Sequence, residues 1–116
     1  MIEKTVLDYL NARLTTANAY VNVPYHKNPG QGLYVVIERT GTQRTDMLYA
    51  SVIAVQSYAP SLFQAAELDE EVRNVMFDLP NNAREVSGIR LIGGSNFTDP
   101  EQRQPRYQAV FEIYHY

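Results

Sequence analysis

Apolar residues along this chain recur with two periods. Over residues 2–14, IEKTVLDYLNARL, Val6, Leu10 and Leu14 return every four positions and Leu7 widens the stripe, which predicts an amphipathic helix. Glu3 near its start and Arg13 near its finish suit the two ends of the helix dipole. Thr15, Thr16 and Asn18 break the pattern. The same helical period returns after Pro60, where Leu62, Ala65, Leu68, Val72, Val75, Met76 and Leu79 follow at three- and four-residue steps. Pro60 cannot donate to a sheet ladder, and Ser61 with Gln64 three residues on fits a capping box. The sequence PNNAR closes this second helix.

The remaining segments read as strands. AYVNVP (residues 19–24) is a short one, ended by Pro24. YHKNPGQG is a loop with Pro29-Gly30 as its turn signal. LYVVIER (33–39) is rich in β-branched residues, with Val35 and Ile37 on one face. TGTQRTDM reads as a polar hairpin loop, too long for a two-residue turn. LYASVIAVQSY (48–58) is the longest apolar strand and so belongs at the centre of the sheet. EVSGIRLIG (85–93) is a strand with Gly88 as a bulge position. GSNFTDPEQRQP is a long polar loop. RYQAVFEIYHY (106–116) alternates, with Tyr107, Ala109, Phe111 and Ile113 on one face.

Burial then dictates the architecture. Two helices with one apolar stripe each, and a sheet of about five strands with one strongly apolar face, are satisfied together when both helices pack on that face. The expectation is an α+β two-layer sandwich in the order α-β-β-β-α-β-β, its sheet mainly antiparallel, with residues 1–116 forming a single domain. The opposite face carries Tyr34, Val36, Val110, Tyr114 and Tyr116, too apolar to be left wholly in water, so a partner is expected there or on a sheet edge.

Charge and composition narrow the functional classes. The formal charge is −3, and residues 60–79 hold Glu67, Asp69, Glu70, Glu71 and Asp78 against Arg73 alone. No Lys/Arg cluster of the kind that displaces counterions from a duplex is visible, so no direct nucleic-acid recognition is expected. There are eight Arg and two Lys, and forked Arg contacts suit interfaces. The acidic cluster reads as a solvated helix face or as a surface that meets a basic patch on a neighbouring subunit. No Cys is present, which removes disulfides, thiolate nucleophiles and Cys-based metal sites. The opening residues do not read as a signal peptide, and no apolar run approaches the length that spans a bilayer, so no membrane partner is expected.

Candidate chemistry is sparse. His26 lies in a loop and His115 beside the last residue; neither has a second ligand at metal-binding spacing, and both read as surface or rim histidines. The GQG of residues 30–32 precedes a strand rather than a helix, so it reads as a turn and not a phosphate cradle. The NFT at residues 96–98 matches a glycosylation acceptor only by pattern. Glu67 and Glu71 share one side of a helix without the cleft a carboxylate pair needs for catalysis. The expectation is no enzymatic activity, no catalytic residue, no cofactor and no metal.

YVVIERTG (34–41), AVQSYAPSLFQAAELDEEV (54–72) and NFTD…RYQAVFEIYHY (96–116), in that order and spacing, resemble the small tail proteins of long-tailed bacteriophages and prophages, the tail terminators and head–tail joining (tail-completion) proteins, including the lambda-type tail terminator. The resemblance spans most of the chain. It implies a sheet with helices against it and no catalytic motif. It also implies a structural role in the virion, at the head–tail junction, after assembly in the host bacterial cytoplasm. Such proteins form a ring, commonly a hexamer, on the head-proximal end of the tail tube, where the ring stops polymerisation. The implied partners are further copies of the chain, the major tail tube protein and the head connector or completion protein. A tube grows by head-to-tail contacts that never close along its axis, and a ring that matches it on one side only ends that growth. The expected self-assembly contacts are Arg39, Arg44 and Asp46 in the hairpin loop, Glu67, Glu70 and Glu71 on the acidic helix, and Arg103 and Arg106 in the long loop, charge complementarity fixing orientation more than affinity. The competing readings are another neck component, a non-viral ligand-binding α+β domain with an enclosed apolar pocket, and a small hydrolase using His26 or His115.

Overall fold

The computed structural model describes residues 2–21, 32–45, 47–96 and 105–116. The chain runs α1 (Ile2–Arg13), β1 (Asn18–Tyr20), β2 (Tyr34–Thr45), β3 (Leu48–Tyr58), α2 (Leu62–Phe77), a single turn α3 (Leu79–Asn82), β4 (Val86–Asn96) and β5 (Arg106–His115). The strands form one sheet in the order β1-β2-β3-β5-β4. β1 pairs parallel to the start of β2, and the other three pairings are antiparallel. This is an α+β fold, and β3 occupies the centre of its sheet as its apolar content predicts.

The core is the helix-covered face. Val35 and Ile37 of β2, Ile53 and Val55 of β3, and Ala109, Phe111 and Ile113 of β5 meet Val6 and Leu10 of α1 and Leu68, Val72 and Met76 of α2 in one cluster. Each of these side chains is at most 3% exposed. Alternation within the strands places every second residue on this face, and the four-residue stripes of the helices fill it from above. Tyr9 of α1 fastens the two helices by donating from its hydroxyl to the carbonyl of Val75 at 2.7 Å.

The Pro-Ser corner is a helix cap. Ser61 adopts an extended backbone, and its Oγ accepts from the Gln64 amide at 3.2 Å while lying 3.1 Å from Gln64 Oε1, to which it donates. The hydroxyl thus supplies the N-cap half of a capping box, and the Gln64 side chain reaches back to that hydroxyl where the full box has it take the N-cap backbone amide.

Four expectations need correction. The polar stretch from Thr40 is not a hairpin loop: β2 continues to Thr45, which pairs with Leu48, so the connection is only two residues long. Thr40, Thr42 and Thr45 are β-branched strand formers whose polarity marks exposure rather than a turn. The second helix stops at Phe77, and α3 begins separately, because the ring of Pro80 would clash with the carbonyl four residues earlier. Leu62, placed on the apolar stripe, is 43% exposed at the first helical position. Tyr34 and Val36, expected to await a partner, are buried already in a second cluster with Tyr58, where the Tyr34 and Tyr58 rings stack 4.7 Å apart. The loop expected over residues 25–32 lies mostly outside the described residues. Gly32, at φ 77°, supplies the left-handed backbone that leads into β2.

Phe111 is fully buried and meets the ring of Phe77 edge-on at 6.0 Å. Phe111→Ala is expected to cost about 3–5 kcal/mol in urea denaturation. Phe63→Ala, at a side chain 73% exposed, is expected to stay within about 0.5 kcal/mol of the parent.

Candidate functional site

An extra residue in β2 assembles the site. Arg39 pairs with Ile53 and Gly41 with Val52, so Thr40 is a bulge. The bulge inverts the alternation after it. Thr42 and Arg44 therefore stay on the same side of the sheet as Arg39, opposite Ser51 and Tyr49 of β3. β5 brings His115 alongside Tyr49. Ile2 and Thr5 of α1 close the other side, with Glu85 and Tyr116 at the rim. The result is a half-open cleft of about 480 Å³ at the end of the sheet where β3 begins.

His115 lines the cleft, and the fully buried Ser51 lies behind it. His115 Nε2 lies 2.7 Å from Ser51 Oγ, which is in turn 3.2 Å from Thr42 Oγ1. The imidazole stacks on Tyr49 at 5.4 Å, and the Arg44 guanidinium sits 5.5 Å from the centroid of the same Tyr49 ring. Thr5 donates to Glu85 Oε1 at 3.1 Å, and the Tyr116 amide donates to the Glu85 carbonyl at 2.9 Å. Arg39 Nε lies 3.3 Å from Glu3 Oε2, while Glu3 Oε1 is buried with no hydrogen-bond partner.

His115 is thus not a rim histidine. It is 8% exposed, and burial pushes its pKa below the ordinary 6.5, opposed by a backbone contact with Tyr116. The Ser51–His115 distance is short enough for a base to activate a nucleophile. Ser51, however, is fully buried and its oxygen is shared between His115 and Thr42, so a substrate carbonyl has no approach to Oγ. As arranged, the three side chains tie β2, β3 and β5 together beneath the cleft. Among the described residues, no three His, Cys, Asp or Glu side chains gather as metal ligands, and no helix is long and apolar enough to cross a membrane.

At the opposite end of β3 the chain turns into α2 and exposes Leu62 and Phe63. The acidic residues that follow divide into three roles. Glu67 and Glu70 are exposed. Glu71 is half-buried and accepts from the Thr15 amide at 2.9 Å and from the hydroxyls of Thr15 and Thr16 at 3.2 Å, clamping the end of α1 to α2. Asp69, expected off the apolar stripe, is 6% exposed; one oxygen takes Arg73 Nε at 2.7 Å and the other has no hydrogen-bond partner. Burial raises its pKa and Arg73 opposes the rise.

Of the expected assembly residues, Arg39 and Arg44 flank the cleft, and Glu67 and Glu70 share the exposed face of α2. Glu71 is committed within the chain. Arg106 lies on β5, not in a loop, with its guanidinium over the Tyr58 ring at 5.7 Å and donating to the Tyr58 hydroxyl at 3.1 Å. Asp46 and Arg103 lie outside the described residues, as does His26. The linear pattern does not single out Tyr49 or Ser51, and the inward position of His115 and the exposure of Phe63 are further features of the site that the expectations above do not contain. Two signals were present: the alternation at 109, 111 and 113 continues inward to 115, and Phe63 is an aromatic residue set off its helix's apolar stripe. Compared with known proteins, the chain matches no family model and no curated sequence.

The buried imidazole gives stability a pH dependence. The unfolded chain takes up this proton near pH 6.5, and the folded chain only at lower pH. Between those values the unfolded state binds more protons, so stability rises with pH and is lost as pH falls below about 6.5. Asp69 has the opposite sign at lower pH, since its raised pKa lets the folded state take the proton first. The melting temperature is expected to fall between about pH 7.5 and about pH 5.5. It should fall less in His115→Gln, which circular dichroism melts of the two proteins will measure.

Proposed function

We propose that this chain is an assembly protein, which acts by docking to copies of itself and to other proteins rather than by making or breaking bonds. More particularly, it is a structural tail protein of a bacteriophage or prophage. It forms a ring at the head-proximal end of the tail tube, ends tube growth and joins tail to head. The observation that carries the reading is the unlike character of the two ends of β3. One end offers a cleft lined by Arg39 and Glu85, with Arg44 against its Tyr49; the other offers exposed Leu62 and Phe63 and the carboxylates of Glu67 and Glu70. Surfaces of unlike character at opposite ends of one molecule support head-to-tail contacts, which close into a ring when the rotation per subunit divides a full turn. The α+β fold agrees with what the sequence resemblance implies.

Adding the purified protein to polymerising tail-tube subunits is expected to shorten the tubes, with density at one end only, in electron micrographs. An unchanged length distribution rejects the reading. Reversing Glu67 and Glu70 to Lys is expected to weaken self-association and to reduce its salt dependence in sedimentation. The same reversal at Glu71 would disturb the clamp on α1 and report on folding instead.

A further inference from the structure

Leu62 and Phe63 are 43% and 73% exposed, at a position where the Ser61 cap fixes the first turn of α2. The cleft at the other end of β3 is lined by Tyr49, His115, Tyr116 and Ile2. Ten residue steps along β3 separate the two ends, about 33 Å of extended strand, in a molecule whose long dimension is 43 Å. The corner therefore cannot reach the cleft of its own chain.

We propose that the Leu62–Phe63 corner of one copy docks in the cleft of the next, and that this contact, repeated head to tail, is how the chain associates with itself. The inference rests on the assembly reading and names its contact.

Size and side-chain chemistry point to the occupant, and the two arginines beside the cleft favour its carboxylates, with Glu85 at the rim held by Thr5. An apolar cavity of about 150 Å³ accepts a benzene ring, and the cleft measures about 480 Å³, so a phenyl group and part of a leucine fit together. Tyr116 offers an exposed ring, Tyr49, already stacked on His115 and carrying Arg44, offers a ring edge, and Ile2 offers an aliphatic wall. Phe63, Glu67 and Glu70 stand at i, i+4 and i+7, on one exposed face of α2. When Phe63 enters the cleft, that face brings both carboxylates towards Arg39 and Arg44 at its margin. Arg39 keeps Glu3 and Arg44 keeps Tyr49, so the incoming carboxylates add to contacts that already hold each guanidinium in place. Both halves reside on one chain, which makes a second copy the fitting partner.

The test uses the full chain and two substitutions. Phe63→Ser removes the inserted ring; Thr42→Trp fills the cleft from its β2 wall. Each variant alone is expected to self-associate at least about tenfold more weakly than the wild type in sedimentation velocity. An equimolar mixture should recover one contact, between the intact corner of one variant and the intact cleft of the other, and should stop at a dimer. Association of either variant at wild-type strength, or a mixture that stays monomeric, overturns the proposal. Circular dichroism checks the fold; if Thr42→Trp unfolds, Thr5→Trp blocks the same cleft from α1. If the wild type associates only on tubes, the same substitutions must abolish capping there. Capping by both variants ends this contact and leaves the assembly reading standing. A wild type that stays monomeric at millimolar concentration and leaves tubes unchanged ends both.

Discussion

Registry between β3 and β5 is the constraint on which the rest of the molecule depends. Ile53 opposite Phe111, and Ser51 opposite Ile113, place the inward residues of both strands on one face. A slip of one residue would turn Phe111 and Ile113 to the other face and leave α1 and α2 with nothing to cover. The helices enforce this from above, since Leu10, Val72 and Met76 fill the space that only this registry provides. The cleft inherits the same constraint. Tyr49 meets His115 because Ile53 meets Phe111 four residues along β3.

Bulges convert that fixed core into a useful surface. Without Thr40 as an extra residue, Thr42 and Arg44 would turn away from α1, and the cleft would lose one wall. The hydroxyl of Ser51 then meets both the imidazole of His115 and the hydroxyl of Thr42. The same strand that centres the core has a cleft at its start and, through the capped turn after it, an exposed apolar corner at its finish.

What could be read from the sequence was whatever burial alone decides. The stripe of Val6 and Leu10, the continuous apolar run of β3 and the alternation of β5 are consequences of solvent exclusion, and they located the elements, their order and the two-layer arrangement. A bulge beside Gly88 was legible because glycine weakens a ladder, although the extra residue is Ser87 and Gly88 itself pairs with Tyr114. The bulge at Thr40 was not, since threonine is at home in a regular strand and only the pairing partner exposes the extra residue. Asp69 misled because an acidic side chain between Leu68 and Glu70 looks solvated, whereas Arg73 one turn later lets it stay buried. Of the candidate site, the Arg and Glu positions were visible as charges. Their division between cleft margin, helix clamp and exposed face depends on distances that a linear pattern does not carry.

β4 forms the outer border of the sheet, and it is interrupted twice, between Val86 and Gly88 and between Leu91 and Gly93. A smooth border of eleven residues would offer its free amides and carbonyls to any extended segment that passed. The two kinks throw those groups out of line. Many copies crowded in one cell would thus resist knitting edge to edge into fibrils, and encounters between them would be decided by side chains of particular shape rather than by the backbone that every protein shares.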